Sequence, residues 1–282
     1  MTVLIAGCGD LGTEVGLRYA ATGREVVGLR RTPGHLPDAI VRHEVDLARE
    51  VPTVPADTEI LVVATAADRR TEQAYRSAYL DGLSNLLAGM RRGSVRPRRV
   101  LLVSSTAVYG DNRAAWVDES TPVSPGSPTA AVLRDAEQLL HEHLPSAIVF
   151  RLAGLYGPGR MRLLDQVCDG SAGGAGDPAR YTNRIHRDDA AAAIVHLTTA
   201  CADPDPIYLG SDHEPTLRSE VVHFLAGELG VELPDDGSRR AGVPNGRRCR
   251  NDRLRSTGFT FRYPTYREGY RAVIAGHAAR HR

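Results

Sequence analysis

The sequence predicts an α/β fold in which a doubly wound parallel sheet carries a small C-terminal lobe. Short apolar runs rich in Val, Ile and Leu alternate with helical patterns, as they do in such sheets. Residues 60–67 are apolar on both faces, which is typical of a parallel strand buried between helices. A glycine-rich turn follows the first strand, where a parallel sheet commonly binds anions.

Strands and helices alternate along the first part of the chain. Strands are predicted at residues 2–6, 25–29, within 39–46, and at 60–67, 99–104 and 147–151. Helices are predicted between them at residues 13–22, 71–92 and 130–143. In the second helix, Tyr75, Tyr79, Leu83, Leu86 and Met90 recur at helical spacing, which indicates one apolar face.

The second part of the chain has a less regular pattern. Helices are predicted at residues 188–200 and 217–229, and a short strand at 206–209. A small-residue stretch at 170–175 and a polar segment at 234–250 are predicted to be loops. We therefore expect a sheet domain at residues 1–155 and a smaller lobe at residues 156–282 that partly returns to the sheet.

The composition is that of an ordinary globular protein. Of 282 residues, 42% are hydrophobic and 24% are charged, and the formal net charge is +1. This balance, with only 5% aromatic residues, disfavours a nucleic-acid partner. No apolar run reaches the roughly 20 residues of a membrane helix. The four widely spaced cysteines indicate neither a disulfide framework nor a metal site, so we expect a cytoplasmic protein without metal.

The glycine-rich turn has the spacing of a dinucleotide-binding loop. Gly7, Gly9 and Gly12 form a Gly-x-Gly-x-x-Gly pattern between the first strand and the first helix, with Asp10 and Leu11 inside it. In this context the first glycine allows the tight turn, the second lets the backbone approach a pyrophosphate, and the third lets the helix pack on the strand. The sequence therefore predicts a Rossmann domain that binds a nicotinamide dinucleotide.

The end of the second strand indicates which dinucleotide is bound. An acidic residue there would bind the ribose hydroxyls of NAD, but this chain has Arg30 and Arg31. Guanidinium groups attract the 2′-phosphate of NADP, so we expect NADP, with NAD less favoured. The alternative is that both arginines are solvated surface charges.

Further cofactor contacts are expected at the ends of neighbouring strands. They are Asp46 and Leu47 beside the adenine, the small residues Ala64, Thr65 and Ala66 against the cofactor backbone, and Ser104 at the end of the fifth strand.

Several motifs in order resemble one enzyme superfamily. They are the glycine loop, the Ser-Ser-Thr-Ala-Val-Tyr-Gly segment at 104–110, the acidic-then-Pro loop at 118–122, the Arg…Tyr-Gly-Pro-Gly segment at 151–159 and the Ile-His-Arg-Asp-Asp segment at 185–189. The chain resembles the extended short-chain dehydrogenases/reductases, the group of nucleotide-sugar epimerases and dehydratases. The resemblance covers nearly the whole chain.

The resemblance implies a catalytic Ser, Tyr and Lys, of which only the first is found. Ser105 matches the Ser position, whereas counting back from Glu137 gives Thr129 at the Tyr position and Leu133 at the Lys position. The chain contains no Lys at all. It therefore resembles an atypical bacterial subgroup that lacks the Tyr-Lys pair. Ser105 and Thr129 remain catalytic candidates.

Other residues have a functional and a structural interpretation. Tyr109 is a further catalytic candidate, although in this family it is more often structural. Asp118 and Glu119 could supply a carboxylate near the nicotinamide or form a solvated loop. Arg160 and Arg184 could contact an anionic substrate or be surface charges. His186 is a candidate base, but a structural role at a helix N-terminus is favoured.

Two functions follow from these observations. The first is an NADP-dependent oxidoreductase or epimerase of the epimerase/dehydratase type, acting on a carbonyl or nucleotide-sugar-like small molecule. The second is a catalytically silent NADP-binding sensor or scaffold, which the missing Tyr-Lys pair favours. By resemblance, the helices at 71–92 and 130–143 would pair two copies into a homodimer.

Overall fold

A computed structural model describes residues 1–32, 34, 36–172, 176–233 and 242–276. The strands in these ranges, numbered along the chain, are β1 Thr2–Ala6, β2 Glu25–Arg30, β3 Val41–Glu44, β4 Thr58–Val63, β5 Arg99–Ser105, β6 Trp116–Val117, β7 Ile148–Leu152, β8 Gly154–Tyr156, β9 Arg180–Thr182, β10 Arg184–His186, β11 Ile207–Gly210, β12 Thr216–Leu217, β13 Asn245–Gly246 and β14 Arg248–Cys249.

The α-helices are numbered in the same way. They are α1 Asp10–Ala20, α2 Glu72–Tyr75, α3 Gly82–Arg92, α4 Pro128–His143, α5 Arg162–Cys168, α6 Arg187–Thr199, α7 Arg218–Leu229, α8 Asp252–Ser256 and α9 Tyr266–Ile274. A π-helical segment at Arg76–Asp81 joins α2 to α3, and a 3-10 turn at Thr106–Tyr109 follows β5.

The central sheet has seven strands in the order β3-β2-β1-β4-β5-β7-β11. Every neighbouring pair is parallel, and the chain winds outward in both directions from β1 and β4. This is the order of a Rossmann sheet, extended by β11. The predicted doubly wound parallel α/β fold is confirmed.

Helices cover both faces of this sheet. On one face, α1 and α6 bury apolar side chains, among which Val15 and Ile194 are fully enclosed. The hydroxyls of Tyr19 in α1 and Thr198 in α6 are hydrogen-bonded to each other. On the other face, α3 and α4 bury residues such as Leu86 and Leu140. The carboxyl ends of the strands are left free for a site.

Local signals explain where the helices begin. Ser127 precedes α4 and its hydroxyl accepts a hydrogen bond from the Ala130 N–H at 3.2 Å, with Pro128 at the first helical position. Thr265 and Glu268 form a reciprocal capping box at the start of α9. Such caps satisfy N–H groups that have no partner within the helix.

The C-terminal lobe is built around a separate apolar cluster. Helices α5, α7 and α9 enclose buried side chains that include Leu164, Leu225 and Tyr270. The same half of the chain also supplies β11 and α6 to the main sheet. The domain boundary at residue 155 stays a prediction, as does the extent of the lobe.

Most predicted elements are found, with some differences at their ends. Helix α1 begins at Asp10 rather than at residue 13, and α5, α8 and α9 were not predicted. Of the predicted loops, residues 173–175 and 234–241 lie outside the described residues, while residues 245–249 contain β13 and β14. Within the described ranges, no helix has the length and apolar character to cross a membrane, and no cluster of potential metal ligands is found.

Candidate functional site

The glycine turn lies directly against the end of β4. Gly7 has a φ of +90°, and a Cβ there would lie 2.6 Å from the Thr65 nitrogen and 2.7 Å from the Ala64 carbonyl carbon. A Cβ at Gly12 would lie 2.5 Å from the Gly7 carbonyl oxygen. Both positions therefore require glycine for packing, as predicted.

Gly9 differs from the other two glycines of the turn. It has an extended backbone with φ −85°, and a Cβ there would meet no atom within 4 Å. It is the N-cap of α1 and provides no side chain to cap the helix. The open space lies at the N-terminus of α1, whose first N–H groups have no partner within the helix, so the turn fits the diphosphate of a dinucleotide.

Arg30 and Arg31 lie beside this turn at the end of β2. The Gly7 and Cys8 N–H groups both donate to the carbonyl oxygen of Leu29, which fixes the turn to this strand. Arg31 is exposed, with its Nη1 3.6 Å from an Asp68 carboxylate oxygen. Within the part of the chain that the structure describes, Arg30 has no ion-pair partner. Positive charge is thus available next to the dinucleotide loop.

The other predicted cofactor residues are less uniform. The Leu47 side chain is buried in the core beneath α3, and its carbonyl oxygen accepts a hydrogen bond from Asn85 Nδ2 at 2.9 Å, so neither is available to an adenine. Asp46 closes its own turn by accepting a hydrogen bond from the Ala48 N–H at 3.1 Å. Ala64 and Thr65 touch the glycine turn through their backbone, and Ala66 is exposed.

A buried polar network lies behind the end of β5. The Glu137 carboxylate accepts hydrogen bonds from the Ser104 hydroxyl and from the Arg151 guanidinium, whose Nη2 is 2.7 Å away. Arg151 also donates to the Tyr109 hydroxyl at 2.7 Å. All four side chains are buried. The Ser104 hydroxyl therefore faces this network, so only the backbone of Ser104 remains for the predicted contact with the cofactor.

Tyr109 does not fit the catalytic role predicted for it. Its side chain has no exposed area and its hydroxyl is held by Arg151. Burial raises the pKa of Tyr109 to about 12, despite the nearby guanidinium. A phenol that is enclosed and neutral cannot exchange a proton with a substrate in the cleft.

Ser105 and Thr129 both lie at the carboxyl edge of the sheet. Ser105 ends β5, is half-buried, and accepts a hydrogen bond from the Ala107 N–H at 3.1 Å. Thr129 lies in the first turn of α4 and is half-buried. One turn further on, Leu133 is buried against Val108. The helix therefore presents no cation where the family would place its Lys.

The acidic loop is structural in this protein. One Asp118 carboxylate oxygen accepts hydrogen bonds from the Ser120 hydroxyl and from the N–H groups of Ser120 and Thr121, and these bonds lower its pKa. Glu119 accepts a hydrogen bond from the Leu209 N–H at 2.8 Å, and burial raises its pKa. Because both carboxylates hold the chain in place, the predicted contacts of Asp118 and Glu119 with substrate do not fit this geometry.

Arg160 is found at the dinucleotide loop. Its Nε donates to the Asp10 carboxylate at 2.8 Å, although 150 residues separate the two in the chain. The other oxygen of Asp10 accepts from Arg187 Nη1 at 3.1 Å, and Arg187 is almost fully buried. The lobe thus touches the first residue of α1, a contact that differs from the substrate role predicted for Arg160.

Arg184 lies inside the lobe in a cationic group. Its guanidinium is 5.8 Å from the Tyr266 ring centroid and the residue is buried. Burial and the charges of Arg184 and Arg162 lower the pKa of Arg218. Burial also raises the pKa of Asp212, which lies in this group, to about 8. The group therefore combines three nearby guanidinium groups with a carboxylate that stays largely protonated at neutral pH.

His186 has the structural role that the sequence favoured. It is the N-cap of α6, and its Nδ1 accepts a hydrogen bond from the Asp188 N–H at 3.1 Å. Burial lowers the pKa of His186 to about 4. A neutral, enclosed imidazole of this kind supports the helix start and is not a base for the cleft.

Several known proteins are similar to this chain in sequence or in fold. The model of the NAD dependent epimerase/dehydratase family matches residues 3–209. The chain belongs to this family. Protein YeeZ of Escherichia coli (strain K12) is 28% identical over 291 aligned residues, with 93% of this chain and 96% of YeeZ covered. A Streptomyces antibioticus protein named as a probable dTDP-4,6-dihydroxy-2-methyloxan-3-one 4-ketoreductase is 28% identical, with 92% and 90% covered.

Solved structures of the epimerase/dehydratase type have the same fold. A protein of Methylobacillus flagellatus, whose name assigns it to the NAD-dependent epimerases/dehydratases, is 33% identical with a TM-score of 0.81 and covers 98% of each chain. MoeE5 in complex with UDP-glucose and NAD is 21% identical with a TM-score of 0.78, again over 98% of each chain. The latter likeness is one of fold.

Two arginines at the site of this family member were not predicted. Arg187 lies inside the Ile-His-Arg-Asp-Asp segment at 185–189, which was matched to the family only as a whole. Arg247 donates to the Gly110 carbonyl oxygen and, at 3.3 Å, to the Thr106 hydroxyl, beside Ser105. No local pattern marked Arg247, because its contacts join residues more than 130 positions apart.

Proposed function

We propose that this protein is an NADP-dependent oxidoreductase or epimerase of the epimerase/dehydratase type. Its substrate would be a small carbonyl compound or a nucleotide-sugar-like molecule. The observation that carries the proposal is the open space at Gly9 before the free N–H groups of α1, on the same sheet edge as Ser105. The names of two relatives, a sugar ketoreductase and a protein bound to UDP-glucose and NAD, support this substrate class.

Each part of the site has a role in this proposal. A bound nicotinamide cofactor would supply hydride chemistry, while the protein supplies binding and orientation. Gly7, Gly9 and Gly12 shape the diphosphate loop. Ser105 would hydrogen-bond the substrate oxygen whose carbon is oxidised or reduced. With Tyr109 enclosed, water held at Thr129 is the remaining proton carrier among the predicted candidates.

The positive charges of the lobe support the proposal that the substrate is anionic. Arg162 is exposed at the start of α5, two residues after Arg160, which reaches the dinucleotide loop. Arg218 is half-buried near Arg162, and Arg184 also lies close to Arg218. A phosphate or carboxylate would relieve the repulsion among these charges. We therefore propose that Arg184 acts on substrate indirectly, through Arg218.

The cofactor preference can be tested at the end of β2. Replacing both Arg30→Ala and Arg31→Ala is expected to weaken NADPH binding about tenfold or more and to leave NADH binding unchanged, because only NADPH has a 2′-phosphate. Dissociation constants from titration calorimetry measure the effect. Arg42→Ala, which removes an exposed arginine of the neighbouring strand β3, is the matched control. Equal affinities of the natural protein for the two cofactors would contradict the preference.

Ser105 provides the test of catalysis. Ser105→Ala is expected to lower kcat/KM about 100-fold, because the hydrogen bond to the reacting oxygen is lost. Nucleotide sugars and carbonyl compounds are screened with NADPH by absorbance, and sugar isomers by chromatography, since an epimerase regenerates its cofactor.

A control variant distinguishes a loss of catalysis from a loss of the turn that the Ser105 hydroxyl caps. Thr71→Ala removes a comparable capping hydroxyl, the one that accepts from the Ala74 N–H at 3.3 Å at the start of α2. This control variant is expected to retain full activity.

The second candidate is a silent NADP-binding sensor or scaffold. It is favoured by the apolar Leu133 where the family has Lys, and by the absence of Lys from the chain. Tight NADPH binding without turnover of any substrate in the screen, and with no effect of Ser105→Ala, would support it over the enzyme.

Location and assembly belong to the same proposal. We place the protein in the cytoplasm because its cysteines indicate no disulfide framework, and by resemblance to the family we expect a homodimer formed through residues 71–92 and 130–143. Sedimentation equilibrium measures the assembly, and a monomeric mass at micromolar concentration would contradict the dimer.

A further inference from the structure

A rigid turn carries Arg160 from the lobe toward the dinucleotide loop. The Arg160 N–H donates to the Gly157 carbonyl oxygen at 3.0 Å, which closes a four-residue turn. Pro158 occupies its second position, and Gly159 occupies its third with φ +74°, as a type II turn requires. The direction of this turn is therefore fixed by its sequence.

The base of the turn is fixed by the core beneath it. Gly157 has φ +128°, and a Cβ there would lie 3.0 Å from the buried His186 ring. Because His186 also caps α6, which packs against α1, the turn and the dinucleotide loop share one support.

The contact made by Arg160 leaves most of its donors unused. Its Nε is bonded to Asp10, and its side chain is 39% exposed. Among the described residues, neither terminal nitrogen of Arg160 has a hydrogen-bond partner. Asp10 is the first residue of α1, so these donors lie next to the N–H groups that face a diphosphate.

The position of Asp10 needs an explanation in terms of charge. A carboxylate at the start of α1 suits the helix dipole but repels a bound diphosphate. Arg187 holds one of its oxygens, and the other is bonded to Arg160. The carboxylate thus fixes a guanidinium that has two free terminal nitrogens beside the anion site, which offsets its repulsion.

We propose that Arg160, positioned by Asp10, binds the diphosphate of the cofactor and so connects the lobe to it. The proposal rests on the proposed function, since it concerns the same dinucleotide site. It adds a residue from the lobe to a loop that is otherwise built from the N-terminal strand and helix. It also assigns Asp10 as a positioning residue.

Binding of ADP and adenosine tests the contact without any need for turnover. Arg160→Ala is expected to weaken ADP binding about tenfold or more, because a charge-assisted hydrogen bond to the diphosphate is lost. Adenosine binding is expected to stay unchanged. Arg271→Ala, which removes an exposed arginine of α9 that pairs with Glu228, is the matched control.

Asp10→Ala distinguishes positioning from simple charge. Removal of a negative charge alone would tighten ADP binding, whereas loss of the partner that orients Arg160 would weaken it. We expect weaker binding, and we expect the double variant with Arg160→Ala to bind no more weakly than Arg160→Ala alone. Additive losses, or tighter binding in Asp10→Ala, would overturn the role of Asp10.

The outcomes separate this proposal from the proposed function. If the natural protein binds neither ADP nor NADPH, both are overturned. If it binds them and Arg160→Ala binds ADP equally well, only the role of Arg160 fails. Thermal midpoints of all variants show whether a loss comes from unfolding, and Arg160→Lys, which keeps the charge without the fork of donors, is expected to recover part of the affinity.

Discussion

Gly9→Ala is expected to weaken NADPH binding about 100-fold while leaving the fold intact. A Cβ at this position meets no protein atom within 4 Å, and its extended backbone suits any residue. The same Cβ would occupy the space through which the backbone approaches the pyrophosphate. Calorimetric titration and a thermal unfolding midpoint measure the two effects separately.

Two other glycines serve as controls for this variant. Gly227→Ala, in α7, also meets no atom within 4 Å; it is expected to leave cofactor affinity unchanged and, because Ala favours a helix more than Gly does, not to destabilise the fold. Gly7→Ala is expected to destabilise the protein, since its Cβ would lie 2.6 Å from the Thr65 nitrogen. Unchanged NADPH affinity in a folded Gly9→Ala protein would show that the diphosphate does not bind at this turn.

Glu137→Ala is expected to lower the free energy of unfolding by about 3–5 kcal/mol, because it leaves the Arg151 guanidinium buried without its ion-pair partner. The carboxylate accepts from Arg151 at 2.7 Å, and both side chains are only 5–6% exposed. The Ser104 hydroxyl would lose its acceptor as well. Urea denaturation followed by circular dichroism measures the change.

The control for this variant lies on the same helix. Asp135 pairs with Arg134 at 2.7 Å, but both are more than one third exposed, so Asp135→Ala is expected to cost less than about 1 kcal/mol. Similar losses for the two variants would contradict the structural role of the buried network.

The sheet was predictable because its signals are local. Each strand is a short apolar run, and the turns are marked by glycine and polar residues. The predictions therefore located the strands within a few residues for β1, β2, β4, β5 and β7. The glycine loop was predictable for the same reason. Helices α5, α8 and α9 were missed because they are short or follow a segment rich in polar residues.

The roles of single side chains were less predictable, because they depend on distant partners. Nothing near Tyr109 in sequence shows that Arg151 will hold its hydroxyl. Glu119 was placed near a nicotinamide, yet it binds the backbone of β11, 90 residues further on. Sequence patterns thus predicted a candidate site at the ends of the strands, while burial and pairing decide which polar groups are available there.

The turn that ends in Arg160 bears on how long a cofactor would stay bound. A cofactor held by Arg160 can leave only after that contact breaks, and such release steps often limit turnover. A reductase needs a fresh cofactor in every cycle, so slow exchange would limit its rate. An epimerase restores its cofactor before the product departs and loses nothing by retention. The clasp formed by Arg160 and Asp10 therefore favours, within the proposed function, chemistry that returns the cofactor to its starting oxidation state.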